Sequence, residues 1–253
     1  MATEQLLQTP FYLDWKFWSA AVAFLALVLS QLPPLHILLR RAKLDAEIYS
    51  QMHITHKVGN PNAQLHLILS NTGGREIRIR AIKLTLNRGS EDTFVLPAKN
   101  YLQLPGDKEA VLFTSFKLKP GEEWAHIVNF LNFFSRQEDK LYRQLESNLR
   151  QDILAKRETL VDKNDMVSAD DVNVTPLLTF FEKRFRWMPG EYEMTLRVQT
   201  EPPNAMFDKY FRFTLFESDS KELEDYRNDY KYGFGVSLDS PSQLGVLVPL
   251  AEA

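Results

Sequence analysis

The chain has 253 residues, 44% of them hydrophobic and 25% charged, with a formal net charge of −3 and no cysteine. These values are those of an ordinary globular chain with enough length to bury a core without cross-links. They exclude a disulfide scaffold, thiolate-ligated zinc, iron–sulfur clusters and thiol nucleophiles, and they give no global basic field for nucleic acid.

The first feature in chain order is an uncharged run over residues 17–39, bounded by Arg40, Arg41 and Lys43. About 23 helical residues would cover ~34 Å, enough for a ~30 Å hydrocarbon core. The sequence therefore predicts a single transmembrane helix, kinked or ended at Pro33-Pro34, after a short tail of residues 1–16. Phe11, Tyr12, Trp15 and Trp18 read as an aromatic belt. Arg40, Arg41 and Lys43, in a basic juxtamembrane segment of residues 40–44, set the topology and suit lipid headgroup contact. The positive-inside rule then places the N-terminus outside and the rest in the cytoplasm, as in a bacterial inner membrane. Glu4 and Asp14 in the tail, and the bulky residues after the run, argue against a cleaved signal peptide. A buried core helix is the alternative.

Residues 45–253 read as a soluble domain. Ile48, Met52, Ile54 and Val58 share one face of a first strand, and Gly59, Asn60, Pro61 and Asn62 form a turn cluster. Leu65, Leu67 and Leu69 alternate with polar residues in a second strand, followed by a Gly73-Gly74 connection. In the third run Ile77, Ile79 and Ala81 lie on one phase while Ile82, Leu84 and Leu86 lie on the other. Such a flip is what a β-bulge produces. Short strands near 93–96, 101–104 and 110–118 follow.

Between 122 and 175 there is neither Gly nor Pro. Trp124, Ile127, Val128, Leu131 and Phe134, then Leu141, Leu145, Leu149 and Ile153, recur at helical spacing, so a helical insertion is predicted over residues 122–160. A polar loop comes next, then strands over 172–181, 191–199 and 207–217, a short acidic helix over 218–230, and an irregular last twenty residues. Pro189, Gly190, Glu191 and Tyr192, leading into a late strand, resemble the penultimate strand of immunoglobulin-like and fibronectin-like sandwiches. That resemblance implies architecture only: an antiparallel immunoglobulin-like β-sandwich with a helical insertion.

The chemistry-bearing residues give no local motif. His53 and His56 stand three apart, which on a strand sends them to opposite faces; His66 lies on the polar face of the next strand. The acidic residues at 162–171 lack the Gly and terminal Glu of a calcium loop. There is no phosphate-binding loop, HExxH or GxSxG signature. Phe180, Phe181, Lys183, Arg184, Phe185, Arg186 and Trp187 interleave bases with aromatics, a pattern open to stacking on single strands or docking on a membrane. Core aromatics with solvated cations explain it more simply. The reading that results is a membrane-anchored, non-enzymatic binding or scaffolding module. It uses no cofactor or metal, contacts the lipid bilayer, and takes a protein partner on the charged helix 137–160. A membrane-tethered small-molecule sensor is the alternative.

Overall fold

The structure is a computed structural model and describes residues 15–31, 41–89, 92–104, 106–107, 109–159, 165–240 and 243–253. Its first element, α1, is Trp15–Gln31, 17 residues apolar on every side and exposed along its length. At 1.5 Å per residue it measures ~26 Å, less than a ~30 Å hydrocarbon core. No helix among the described residues is long and apolar enough to cross a membrane. This corrects the single transmembrane helix, and with it the placement in a bacterial inner membrane with the N-terminus outside and a cytoplasmic domain. The helix described over this stretch, Trp15–Gln31, is one residue short of the roughly 18 apolar positions that a crossing needs. Pro33-Pro34 lie outside the described residues.

Alternation builds the rest. In chain order the strands are β1 (Leu44–Ile48), β2 (Gln51–Lys57), β3 (Asn60–Asn71), β4 (Ile77–Arg88), β5 (Asp92–Leu102), β6 (Val111–Leu112), β7 (Phe116–Leu118) and β8 (Glu123–Leu131). After two helices come β9 (Gly190–Glu201), β10 (Phe207–Leu215), β11 (Val246–Pro249) and β12 (Ala251–Glu252). They are neighbours in the order β11-β2-β3-β8-β5-β4-β9-β10-β12, with β1 beside β3, β6 beside β5 and β7 beside β4. The named pairings are antiparallel.

The expected immunoglobulin-like sandwich is corrected by two connections. β5 runs from one half of the structure to the other: Asp92 to Pro97 pair with β4, and Ala98 to Leu102 pair with β8, across a register shift at Ala98/Asn100. On the far side, Val246 pairs with Ile54 of β2 and, a few residues on, Glu252 pairs with Phe211 of β10. The Leu250 N–H donates to Ser50 O at 2.7 Å between those two pairings. Strands of both halves thus belong to a single sheet, curled into a nearly closed barrel that makes the chain 41% strand. The last twenty residues, expected to be irregular, supply the closing segment.

The inward faces follow the sequence alternation. Leu65, Leu67, Leu69, Ile82, Leu84, Leu86, Leu196 and Val198 are all at most 1% exposed, each worth about 1.5–3 kcal/mol of burial. The phase flip in β4 is a bulge, seen as a register shift against β9 between Ile79 and Ala81. From the loop before β9, fully buried Trp187 enters this core, packs edge-on against Phe94 at 5.5 Å and donates its Nε1–H to Thr55 O at 2.7 Å.

The predicted helix 122–160 begins too early. Residues 123–131 form β8, with Trp124, His126, Val128 and Phe130 opposite Leu69, Leu67, Leu65 and Ala63. A histidine in that inward row hid the alternation, while neighbours on both faces mimicked helical spacing. Only then does α2, Arg136–Glu158, begin. α3, Asp171–Glu182, replaces the strand expected over 172–181: Val174, Leu177 and Phe181 are buried at helical spacing. A short helix α4, Glu217–Asp225, continues as a 3-10 segment, Tyr226–Tyr232.

α2, α3 and the 3-10 segment share a second core around Tyr142, Leu149, Leu177, Phe180, Phe181 and Tyr230. The β2–β3 turn locks this layer to the barrel. Val58 and Gly59 take positive φ, 47° and 82°. A Cβ on Gly59 would lie 2.5 Å from Phe181 O, so only glycine lets α3 come this close.

Candidate functional site

The residue pattern of α2 fixes it at both ends. Ser135 accepts the Glu138 N–H at 3.4 Å while Glu138 Oε2 accepts the Ser135 N–H at 2.8 Å, a reciprocal capping box. Glu138 Oε1 also accepts from Arg184 at 2.6 Å. The Ser135 bonds, reinforced by Arg184, hold the Glu138 carboxyl below its usual range. At the other end Lys156 donates to Ser168 O at 3.0 Å and to Asp170 at 2.6 Å, and Asp152 accepts from the Asp170 N–H at 2.7 Å and from Asn173 at 3.0 Å. The Asp170 N–H is the main reason the Asp152 carboxyl titrates low. Of the acidic stretch considered for calcium, Asp170 therefore serves to join α2 to α3. Residues 162–164 lie outside the described residues.

Tyr142 and Leu149, seven residues apart, point α2 inward, and the Tyr142 hydroxyl donates to Val236 O at 2.9 Å. The outward face is sorted by charge. Glu138, Asp139, Glu146 and Asp152 lie on half-buried flanks, whereas Arg136, Arg143, Arg150 and Arg157 are exposed. Each of these arginines is followed by an exposed Gln or Glu: Gln137, Gln144, Gln151 and Glu158. Arg143 pairs with Asp139 at 2.8 Å. Arg136, Arg150 and Arg157 have no carboxylate partner among the described residues. In the sequence this stripe is a repeated Arg-Gln pair, overlaid by the stronger apolar periodicity of Leu141, Leu145, Leu149 and Ile153.

Beside the first turns of α2 lies a cleft of about 350 Å³ lined by Lys57, Asn60, Phe133, Phe134, Tyr142 and Arg143. Phe133 is 63% exposed, with the Lys99 ammonium 4.9 Å from its ring centre. The backbone around it is pinned: Asn60 donates to Asn132 O, and Asn132 donates to Val95 O, both at 2.7 Å. The ring stands outward next to the arginine stripe.

The other residues singled out in the sequence are dispersed. Trp15 and Trp18 are exposed on α1, while Tyr12 and Arg40, like Phe11 and His36, lie outside the described residues. Arg41 and Lys43 flank the start of β1, where the carbonyl of Arg41 accepts from Gly74 and that of Lys43 from Thr72 and Gly73. Among the described residues, no three metal-ligating side chains come together. His53 approaches Leu244 O at 2.5 Å. His56 packs against Phe181, Phe185 and Tyr226, with Nε2 2.8 Å from Leu223 O and Nδ1 accepting the Gly59 N–H at 3.2 Å. Burial lowers it to about 4, so it stays neutral near pH 7. In the 180–187 segment, Phe180, Phe181 and Trp187 are buried. Arg184 stacks 3.5 Å over Phe180, and Arg186 lies 3.7 Å from Asp92. The aromatics fill the two cores and the cations line their rim.

Neither the protein families nor the curated proteins contain a match to this chain. Among solved structures, the crystal structure of Spo0M, a sporulation control protein from Bacillus subtilis, aligns with 75% of this chain and 55% of that one. The identity is 11% and the TM-score 0.26, so the chain spans little more than half of Spo0M and the likeness supports no functional conclusion.

Proposed function

We propose that this protein is a non-enzymatic binding module that scaffolds a protein partner on the exposed face of α2. The observation that carries this reading is the set of three arginines, Arg136, Arg150 and Arg157, exposed and without a carboxylate partner among the described residues, on a helix fixed at both ends. Arginine is enriched where proteins meet, because its planar fork makes directed contacts at low ordering cost on a rigid element. Phe133, held outward beside the stripe, adds an aromatic anchor of the kind that dominates interface energies.

The test replaces Arg136, Arg150 and Arg157 together by Glu in the full chain and compares cross-linked affinity purifications. A partner present with the parent protein should be lost from the variant, with thermal unfolding unchanged. Partners retained in full by the folded variant would end this reading.

A further inference from the structure

The arginine stripe has a period. Arg136, Arg143, Arg150 and Arg157 are each seven residues apart, and Gln137, Gln144 and Gln151 repeat with them. Seven residues is nearly two turns, so successive arginines rise about 10.5 Å and drift only about 20° around the axis. The four guanidinium groups form a line about 32 Å long on one flank of α2, and all four arginines are exposed. Burial of α2 on the second core does not need this repeat, because Tyr142, Leu145, Leu149 and Ile153 already supply the inward face.

A seven-residue charge repeat matches one kind of neighbour directly: a second helix alongside, whose own residues recur every seven positions at the same rise. Flanking charges of this kind set partner choice and register between paired helices. A second copy of α2 packed antiparallel would bring arginine against arginine, which disfavours self-pairing through this face. The formal net charge of −3 gives the chain no broad basic field for nucleic acid beyond this single line of cations.

We infer that α2 receives an acidic amphipathic helix of a partner protein, one that carries Glu or Asp at seven-residue intervals opposite Arg136, Arg143, Arg150 and Arg157. The uncharged glutamines form the seam between the two helices and the carboxylates of the incoming helix pair with the arginines. This rests on the proposed role of α2 as the partner surface and adds the chemistry and register of what binds there.

The test uses the full chain and three labelled helical peptides of about 25 residues, followed by fluorescence anisotropy. One peptide carries Glu at every seventh position, the second carries Gln there, and the third carries the same number of Glu residues with their spacing scrambled. The first should bind, the second about tenfold more weakly from the loss of several surface pairs, and the third by a similar margin. The Arg136→Glu/Arg150→Glu/Arg157→Glu variant should lose the preference for the first peptide. Equal binding of regular and scrambled peptides would overturn the inference, and so would tighter binding of a 20-base-pair DNA duplex. Should all three peptides fail to bind while the same variant still loses its cross-linked partner, the acidic-helix inference falls and the α2 binding surface stands.

Discussion

On the barrel, several outward cations have partners on neighbouring segments. Arg197 of β9 holds Asp208 of β10 through two bonds of 2.8 and 2.7 Å, Lys209 reaches Glu252 at 3.0 Å, and Lys117 reaches Glu76 at 2.7 Å. On α2, Glu138, Asp139 and Asp152 are paired, and three of the four arginines in the stripe have no carboxylate partner among the described residues. Neither pattern matters much for stability, since exposed pairs contribute about 0–1 kcal/mol each. What differs is arrangement: the barrel pairs are scattered between strands, whereas the helical layer carries one line of exposed cations at a regular spacing.

The comparison can be broken first at the two cores. Trp187→Ala removes the largest fully buried ring of the barrel together with its bond to Thr55, and should cost about 3–5 kcal/mol in chemical denaturation. Leu149→Ala empties the centre of the second core and should cost about 3 kcal/mol. Hydrogen exchange sharpens this case: amides of α2 and α3 should lose protection while those of β3 and β9 keep theirs. Equal loss in both regions would mean that the layers are one cooperative unit.

Acid probes the junction between them through His56. Its folded value is lowered to about 4 against an ordinary 6.5, so between those values the unfolded chain binds more protons. Stability should be full above pH 6.5 and fall as pH drops toward 4, by up to about 3 kcal/mol. Denaturant midpoints at pH 7 and pH 4.5 measure it, and replacing His56 should flatten that part of the slope. Smaller still, Ser135→Ala breaks the capping box and should cost about 1 kcal/mol. Smallest of all, Arg150→Glu should change stability by less than about 0.5 kcal/mol, because the exposed guanidinium has no partner among the described residues to lose.

Strands with one apolar face were plain in the sequence: Leu65, Leu67 and Leu69 of β3, and Tyr192 to Val198 of β9, are buried as their alternation requires. So was the bulge in β4, since a bulge moves every later side chain to the other face. β8 was hidden because its inward row includes a histidine, and α3 because Val172, Val174 and Thr175 favour strands until a neighbouring helix offers a surface to bury. Closure of the barrel was not legible, since which strand pairs with which across a hundred residues leaves no local mark. For the candidate site, the charged helix is legible from its composition, whereas the seven-residue arginine repeat is masked by the apolar periodicity and Phe133 is one apolar residue among many until the fold turns it outward.

The segment 246–252 touches both free margins of the curled sheet, with β2 on one side and β10 on the other. While the ribosome is still adding residues before 246, those margins are bare rows of backbone donors and acceptors flanked by apolar side chains. Bare margins of this kind invite pairing with other chains. The nascent protein is thus exposed to misassembly until this short stretch emerges. A nick or frameshift just upstream of Val246 would leave nearly every other strand in place but expose the edges of β2 and β10, so these few residues act as edge protection for the barrel.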